Sequence, residues 1–205
     1  MANSKALAVI FLLWAAFILQ IAFAFANIDL IQFGLIPRNP IGALGIFTCV
    51  FLHRNLIHLI SNSIFLFVIL TALFSNYSDE HVTIVIFKTI VFSGMLVWIM
   101  GRGGDSVHIG ASGLAYGLAT YTIVSSIRYK KTNLIIFSII GLALGGQTLL
   151  TGMLTIGTPV SWEFHMMGAV AGIMIAAFEE KDTPLMSTKG DPNDQTRPHC
   201  FPSER

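Results

Sequence analysis

Charged side chains are scarce in this sequence, since Asp, Glu, Lys and Arg together make up only 11% of its 205 residues. Soluble globular proteins carry about 25% of these residues. Hydrophobic residues account for 54% of the chain, which is more apolar surface than a soluble domain of this size can bury. The shortage of charge therefore argues against a soluble domain and indicates that the lipid bilayer is the solvent.

The sequence also lacks a large excess of positive or negative charge, and it lacks the several cysteines of a disulfide-rich protein. The formal net charge is only +1, so neither a nucleic-acid partner nor an acidic substrate is indicated. The two cysteines, Cys49 and Cys200, do not suggest a disulfide framework. The His-Glu-x-x-His sequence of zinc proteases does not occur.

Long apolar windows are what the chain does contain. Because backbone groups in lipid must form their hydrogen bonds within one segment, each window predicts a membrane-spanning helix. The predicted fold is an all-α membrane protein with one domain over residues 1–180. Residues 181–205 are rich in polar residues and proline, which predicts a disordered cytoplasmic tail. The six windows are Ala6–Ala26, Leu56–Phe74, Val82–Met100, Ile109–Ile127, Leu134–Met153 and Trp162–Phe178.

Basic residues predict the orientation of these helices. The link after the fourth window contains Arg128, Lys130 and Lys131, the densest basic cluster beside any window, which places this link in the cytoplasm. An even number of crossings then puts both chain ends in the cytoplasm as well. Lys88 lies inside the third window, and we expect its long side chain to reach toward the nearer interface.

Three polar residues stand near the starts of the second, fourth and sixth windows, which run in the same direction. They are His58, Ser112 and His165. At a rise of about 1.5 Å per residue, all three lie roughly 5 Å below the outer helix ends. Asn62 follows His58 by one helical turn and shares its face. This common depth predicts one polar site that opens to the outer side of the membrane.

These residue types can carry out acyl transfer. A neutral imidazole can accept the proton of a serine hydroxyl, which predicts Ser112 as nucleophile and His165 as general base. The backbone N–H of Ser112, His58 and Asn62 could stabilise an oxyanion. Each residue also has a plain structural interpretation. A membrane serine often bonds its own backbone, and His58 with Asn62 could be a hydrogen-bonding pair between helices.

No third acid is evident, so the sequence favours a Ser–His dyad. Glu163 lies about 200° around the helix from His165 and faces away. Tyr116, one turn after Ser112, is the best candidate for orienting the imidazole. Small residues at Gly-x-x-x-Gly spacing allow membrane helices to approach closely, which predicts contact between the fourth and sixth helices. The two glycine pairs are Gly113 with Gly117 and Gly168 with Gly172.

With these residues in place, the chain resembles the rhomboid family of intramembrane serine proteases, and its first loop is similar to bacterial members. The resemblance covers residues 6–178. The matching segments are Ile36-Pro37-Arg38-Asn39-Pro40, His58-x-x-x-Asn62, Gly110-Ala111-Ser112-Gly113 and His165-x-x-Gly168-x-x-x-Gly172.

The resemblance implies a six-helix rhomboid bundle in the bacterial inner membrane, with Ser112 and His165 catalytic and His58, Asn62 and the Ser112 N–H as oxyanion donors. We expect Tyr116, Gly110, Gly113 and Gly168 to support this site. The resemblance also implies substrates that are single-span membrane proteins, entry near the fifth helix, and residues 152–161 as a cap. No metal and no cofactor are implied.

Two other functions stay open at this point. A transporter or channel could use His58 and His165 as proton-relay groups, and a rhomboid-like pseudoenzyme could bind membrane helices without cleaving them. Two further histidines have no role that the sequence provides. His53 is interpreted as a residue that fixes the first loop, and His108 as a surface residue.

Overall fold

The computed structural model describes residues 2–103, 106–130, 132–144 and 162–179. These residues form helices and connecting loops with no strand, which confirms the predicted all-α class. The predicted tail 181–205, the predicted cap 152–161 and the end of the fifth window lie outside the described residues. The six longest helices among the described residues are α1 (Ala2–Phe25), α2 (Leu56–Asn76), α3 (Asp79–Met100), α4 (Ser112–Tyr129), α5 (Thr132–Leu144) and α6 (Trp162–Phe178).

Three of these helices are long and apolar enough to cross a membrane by themselves, namely α1, α2 and α3. Helix α6 is equally apolar in character but shorter, with 17 residues. The chain is therefore an integral membrane protein with an all-helical bundle. Six complete crossings stay a prediction.

Helix α4 is the centre of the bundle. Every residue from Ser112 to Ala119 is buried, because α2, α3, α5 and α6 all pack around this helix. The outer helices instead turn large apolar side chains outward, as a lipid solvent requires. Because its neighbours shield it from lipid, α4 can carry serine, threonine and tyrosine. Exposed examples on the outer helices are Phe11, Leu12, Phe87, Ile136 and Ile173.

Helices α4 and α6 make the most extensive helix contact, as the glycine pairs predict. The Gly168 Cα faces the carbonyl oxygen of Gly113, and Gly172 faces that of Gly117, so the two backbones touch. The Thr120 hydroxyl adds a hydrogen bond of 2.8 Å to the Ala169 carbonyl. Backbone contacts at the glycines and the Thr120 hydrogen bond thus join the two helices along this seam.

The first loop folds against the outer end of α3. The Arg38 N–H donates to the Trp98 carbonyl at 3.0 Å, and its guanidinium donates to the carbonyls of Ile99 at 3.0 Å and Gly101 at 2.7 Å. A cation at a helix C-terminus satisfies unpaired carbonyls and interacts favourably with the helix dipole. The motif around Pro37 and Pro40 therefore caps α3. The loop exposes the apolar side chains of Phe33, Ile41, Leu44 and Phe47, which suits contact with the membrane surface.

At the other end of the bundle, Arg128 of the basic cluster fixes the end of α6. Its guanidinium donates to the carbonyls of Ala177 at 2.7 Å and Glu179 at 2.8 Å, and also to that of Ala176. The Tyr121 hydroxyl donates to the Glu179 carboxylate at 3.0 Å. Helix α6 is thus held to α4 both along its glycines and at its C-terminal end.

Candidate active site

Ser112 and His165 meet where α4 and α6 begin. The Ser112 Oγ lies 2.9 Å from the His165 Nε2, which is hydrogen-bond distance. Both residues are only 3% exposed. The contacts between the glycines of α4 and α6 bring the first turns of the two helices together, and this places the two side chains side by side.

The chain enters α4 through a sharp turn that exposes the Ser112 backbone. Gly110 has φ of +116°, a conformation that residues with a side chain rarely adopt, and its N–H donates to the Cys49 carbonyl at 2.9 Å. Ala111 is the N-cap and provides no side-chain hydrogen bond. As the first helical residue, Ser112 has an N–H with no intrahelical acceptor, and the positive end of the helix dipole lies there.

The Tyr116 ring stacks on the imidazole of His165. The ring centroids are 4.7 Å apart and the planes differ by 26°. This contact restricts the imidazole plane from the α4 side. Glu163 lies elsewhere, since its carboxylate accepts a hydrogen bond of 2.9 Å from Arg102 Nε and one of 3.3 Å from the Arg102 N–H.

His58 of α2 lies against this turn, and Asn62 follows it by one helical turn on the same helix. A methyl group added to Gly110 would lie 2.5 Å from His58 Cε1 and 2.9 Å from its Nε2, so the imidazole packs directly on the Gly110 backbone. Asn62 is fully buried, and neither atom of its amide has a hydrogen-bond partner among the described residues. An unsatisfied buried amide costs about 1–3 kcal/mol, and a bound carbonyl oxygen could recover part of that.

His53 is buried at 0% exposure beside this group, at the end of the first loop. Its ring lies edge-on to those of Phe17 and His58, with centroids at 6.5 Å and 5.2 Å. Burial, and secondarily the nearby His58, lower the pKa of His53 to about 4, so its imidazole is neutral at physiological pH.

His108 is also buried, at 2% exposure, so the surface interpretation was wrong. Its backbone pairs with Leu35 of the first loop through hydrogen bonds of 2.8 and 3.0 Å. Its Nε2 lies 3.9 Å from the Glu163 carboxylate. Burial lowers the pKa of His108, Glu163 opposes that shift, and Arg102 adds to it. Glu163 thus contacts the loop between α3 and α4 through Arg102 and His108. The sequence signal for a structural role was its position as an acidic residue in the first turn of α6.

Among the described residues, no three His, Cys, Asp or Glu side chains are grouped closely enough to hold a metal ion. What the geometry provides is a buried serine and imidazole in contact, an unpaired helix N-terminus, and two polar side chains from α2. This arrangement is chemically suited to nucleophilic attack on a carbonyl carbon.

The fold and the site together describe one class of protein, a membrane-embedded helical bundle that contains a buried Ser–His pair. A family model described as "Rhomboid domain" matches residues 42–181. The chain belongs to the rhomboid family.

Several mycobacterial proteins are similar to this chain, and their names state no function. Uncharacterized proteins of Mycobacterium bovis and Mycobacterium tuberculosis are each 32% identical over 151 residues, which cover 70% of this chain and 62% of the relative. An uncharacterized protein of Mycobacterium leprae is 34% identical over 133 residues, covering 61% of this chain and 51% of the relative. The chain thus matches less than two thirds of the length of these relatives. The activity, substrates and partners of the whole protein are therefore proposals.

Proposed function

We propose that this protein is a serine endopeptidase that cleaves transmembrane segments of single-span membrane proteins with a dyad of Ser112 and His165. The observation that carries the proposal is the 2.9 Å contact between the two side chains in a buried position. Membership of the rhomboid family, whose members are generally intramembrane serine proteases, supports the same activity.

In the proposed first step, His165 Nε2 accepts the hydroxyl proton while Ser112 Oγ attacks the carbonyl carbon of the scissile peptide. The carbonyl π electrons move to oxygen, which becomes an oxyanion. The imidazolium then donates its proton to the leaving amine, the C–N bond breaks, and an acyl-enzyme remains on Ser112. Water attacks this ester with His165 again as base, and release of the new carboxylate restores both side chains.

The oxyanion needs donors that are already in place when its charge develops. We assign this role to the backbone N–H of Ser112, the His58 imidazole and the Asn62 amide. The helix N-terminus at Ser112 and the buried Asn62 amide, which has no hydrogen-bond partner among the described residues, support the assignment. In this proposal the Asn62 amide donates a hydrogen bond to the oxyanion of the intermediate.

The proposed dyad requires a fixed imidazole orientation, with Nε2 directed at the Ser112 hydroxyl. We assign orientation to the Tyr116 ring, which stacks on His165 at 4.7 Å. Gly110, Gly113 and Gly168 support the site by letting the turn and the two helices approach closely.

The substrate in this proposal is a helix within the lipid bilayer. A helical backbone keeps its carbonyls in intrahelical hydrogen bonds, so the scissile segment must unwind before attack, and segments with weak helix formers are favoured. Entry near α5, a site that opens to the outer face, and cytoplasmic chain ends in a bacterial inner membrane complete the proposal. The basic residues Arg128 and Lys130 at the opposite end of α4 support this orientation.

The proposal is tested by labelling the detergent-solubilised protein with a serine-reactive fluorophosphonate and locating the adduct by mass spectrometry. We expect the adduct on Ser112, and no labelling or cleavage after Ser112→Ala or His165→Ala. Ser126→Ala is the matched control, since Ser126 is also buried on α4 and bonds the Ile123 carbonyl far from the dyad. Solute or ion flux in liposomes that survives Ser112→Ala would instead indicate a transporter. Helix binding without labelling would indicate a pseudoenzyme.

A further inference from the structure

Gln20 is the one strongly polar residue within the apolar window Ala6–Ala26, and its side chain has a specific partner. Its amide Nε2 donates to the His53 carbonyl at 2.8 Å, and its Oε1 accepts from the His53 N–H at 3.1 Å. A polar amide in lipid is costly unless both of its ends are paired. The two hydrogen bonds offset that cost and fix His53 to α1.

His53 lies in a short extended segment that joins the first loop to α2. The backbone of this segment belongs to neither a helix nor a strand, since the helical turn Cys49–Phe51 ends before it and α2 begins after it. Its polar groups therefore need partners from outside the segment. Gln20 satisfies both backbone groups of His53, so α1 determines where this residue lies.

The ring of His53 connects α1 to the proposed oxyanion site through its contacts with neighbouring rings. It lies between Phe17, which is almost one helical turn before Gln20 on α1, and His58, whose ring centroid is 5.2 Å away. The His58 imidazole in turn packs on Gly110, two residues before Ser112. A continuous set of contacts thus runs from α1 to the turn that starts α4.

We propose that Gln20 is a positioning residue for the oxyanion site, because it fixes His53, whose ring holds the His58 imidazole against Gly110. The inference rests on the proposed protease function. Gln20 touches no reacting atom, so its effect must pass through His58. If His58 is already absent, Gln20 has nothing left to position.

A different contact of α1, with helix α2 itself, provides the matched control. The Trp14 Nε1 donates to the Ser63 hydroxyl at 3.0 Å, so Trp14→Phe removes a hydrogen bond that joins α1 to α2. This contact does not involve His53 or His58. It therefore reports what weaker packing of α1 does by itself.

The experiment is a double-mutant cycle of Gln20→Met with His58→Ala, read as steady-state cleavage of a model transmembrane substrate in detergent at a series of substrate concentrations. Met retains the unbranched shape of Gln and removes its hydrogen bonds. We expect Gln20→Met to lower kcat about tenfold with KM within about twofold, since small displacements of catalytic groups are costly. In the His58→Ala background the same change should lower kcat by less than about twofold. Trp14→Phe should leave kcat within about twofold in both backgrounds.

A second variant keeps the inference testable where thermal unfolding indicates that Gln20→Met does not fold. His53→Ala leaves the Gln20 hydrogen bonds in place and removes the ring, and it should show the same loss and the same non-additivity with His58→Ala. Equal losses from Gln20→Met in both backgrounds would overturn the inference while the protease function stands. A wild-type protein that neither cleaves nor labels at Ser112 would overturn the protease function and this inference with it.

Discussion

The contact of Gly168 with Gly113 gives a direct way to separate the proposed nucleophile from its base. A methyl group at position 168 would lie 2.9 Å from the Gly113 carbonyl carbon and 3.0 Å from its Cα, and it would overlap the carbonyl oxygen. Ordinary contacts between carbon atoms are about 3.5–4.0 Å. Gly168→Ala must therefore push α4 and α6 apart by roughly 0.5–1 Å.

This displacement acts on the proposed catalytic pair, because Ser112 and His165 lie on the two helices that separate. Their present distance of 2.9 Å would increase beyond hydrogen-bond range. A misplacement of about 1 Å can cost about 10²-fold in rate. We expect kcat to fall about 10²-fold, together with a loss of stability of about 1–3 kcal/mol from overpacking.

The assay compares cleavage, the rate of Ser112 labelling and thermal unfolding in detergent for Gly168→Ala and for Gly94→Ala. A methyl group on Gly94 would lie 2.8 Å from Ile46 Cγ2, so it overpacks α3 against the first loop and leaves the contact of α4 with α6 unchanged. The control should lose stability and keep kcat within about threefold. Wild-type cleavage and labelling rates in Gly168→Ala would refute the reasoning.

Two further predictions concern the aromatic and histidine neighbours of the dyad. Tyr116→Phe retains the stack on His165 and should keep kcat within about threefold, whereas Tyr116→Leu should lower kcat about tenfold, as measured by cleavage at saturating substrate. A pH dependence of stability follows from His53, whose pKa is lowered to about 4 in the folded protein. As the pH falls below the ordinary histidine pKa of about 6.5, His53 binds a proton in the unfolded state but not in the folded state. The free energy of unfolding therefore decreases between about pH 6.5 and pH 4, by up to about 3 kcal/mol. Thermal unfolding should record this loss, His53→Phe should reduce its slope, and a slope equal to that of the wild type would contradict the assignment.

The positions of the helices could be predicted well from the sequence because lipid imposes a simple condition on composition. The sixth window and α6 share the bounds Trp162–Phe178. The fourth window starts at Ile109, whereas α4 begins at Ser112, since Gly110 and Ala111 form the turn into the helix. A hydropathy window registers apolar residues and cannot register that turn.

The site was predictable where it depends on spacing within one helix, and not where it depends on contacts between loops. Tyr116 follows Ser112 at helical spacing, so their shared face could be derived. The burial of His108 depends on its pairing with Leu35, far along the chain, and no periodic pattern marks such a pair. The partner of Gln20 was hidden for the same reason, although its isolation in an apolar window was visible.

The burial of the first two turns of α4, from Ser112 to Ala119, bears on how the protein is assembled in the membrane. A helix with this many hydroxyl groups is a weak membrane segment by itself, while α1, α2 and α3 are apolar enough to insert first. Membrane helices commonly insert independently and associate afterwards. We therefore expect α4 to gain a stable transmembrane position only after the surrounding helices have inserted. Ser112 and His165, the proposed nucleophile and base, would then come together as one of the last events of folding.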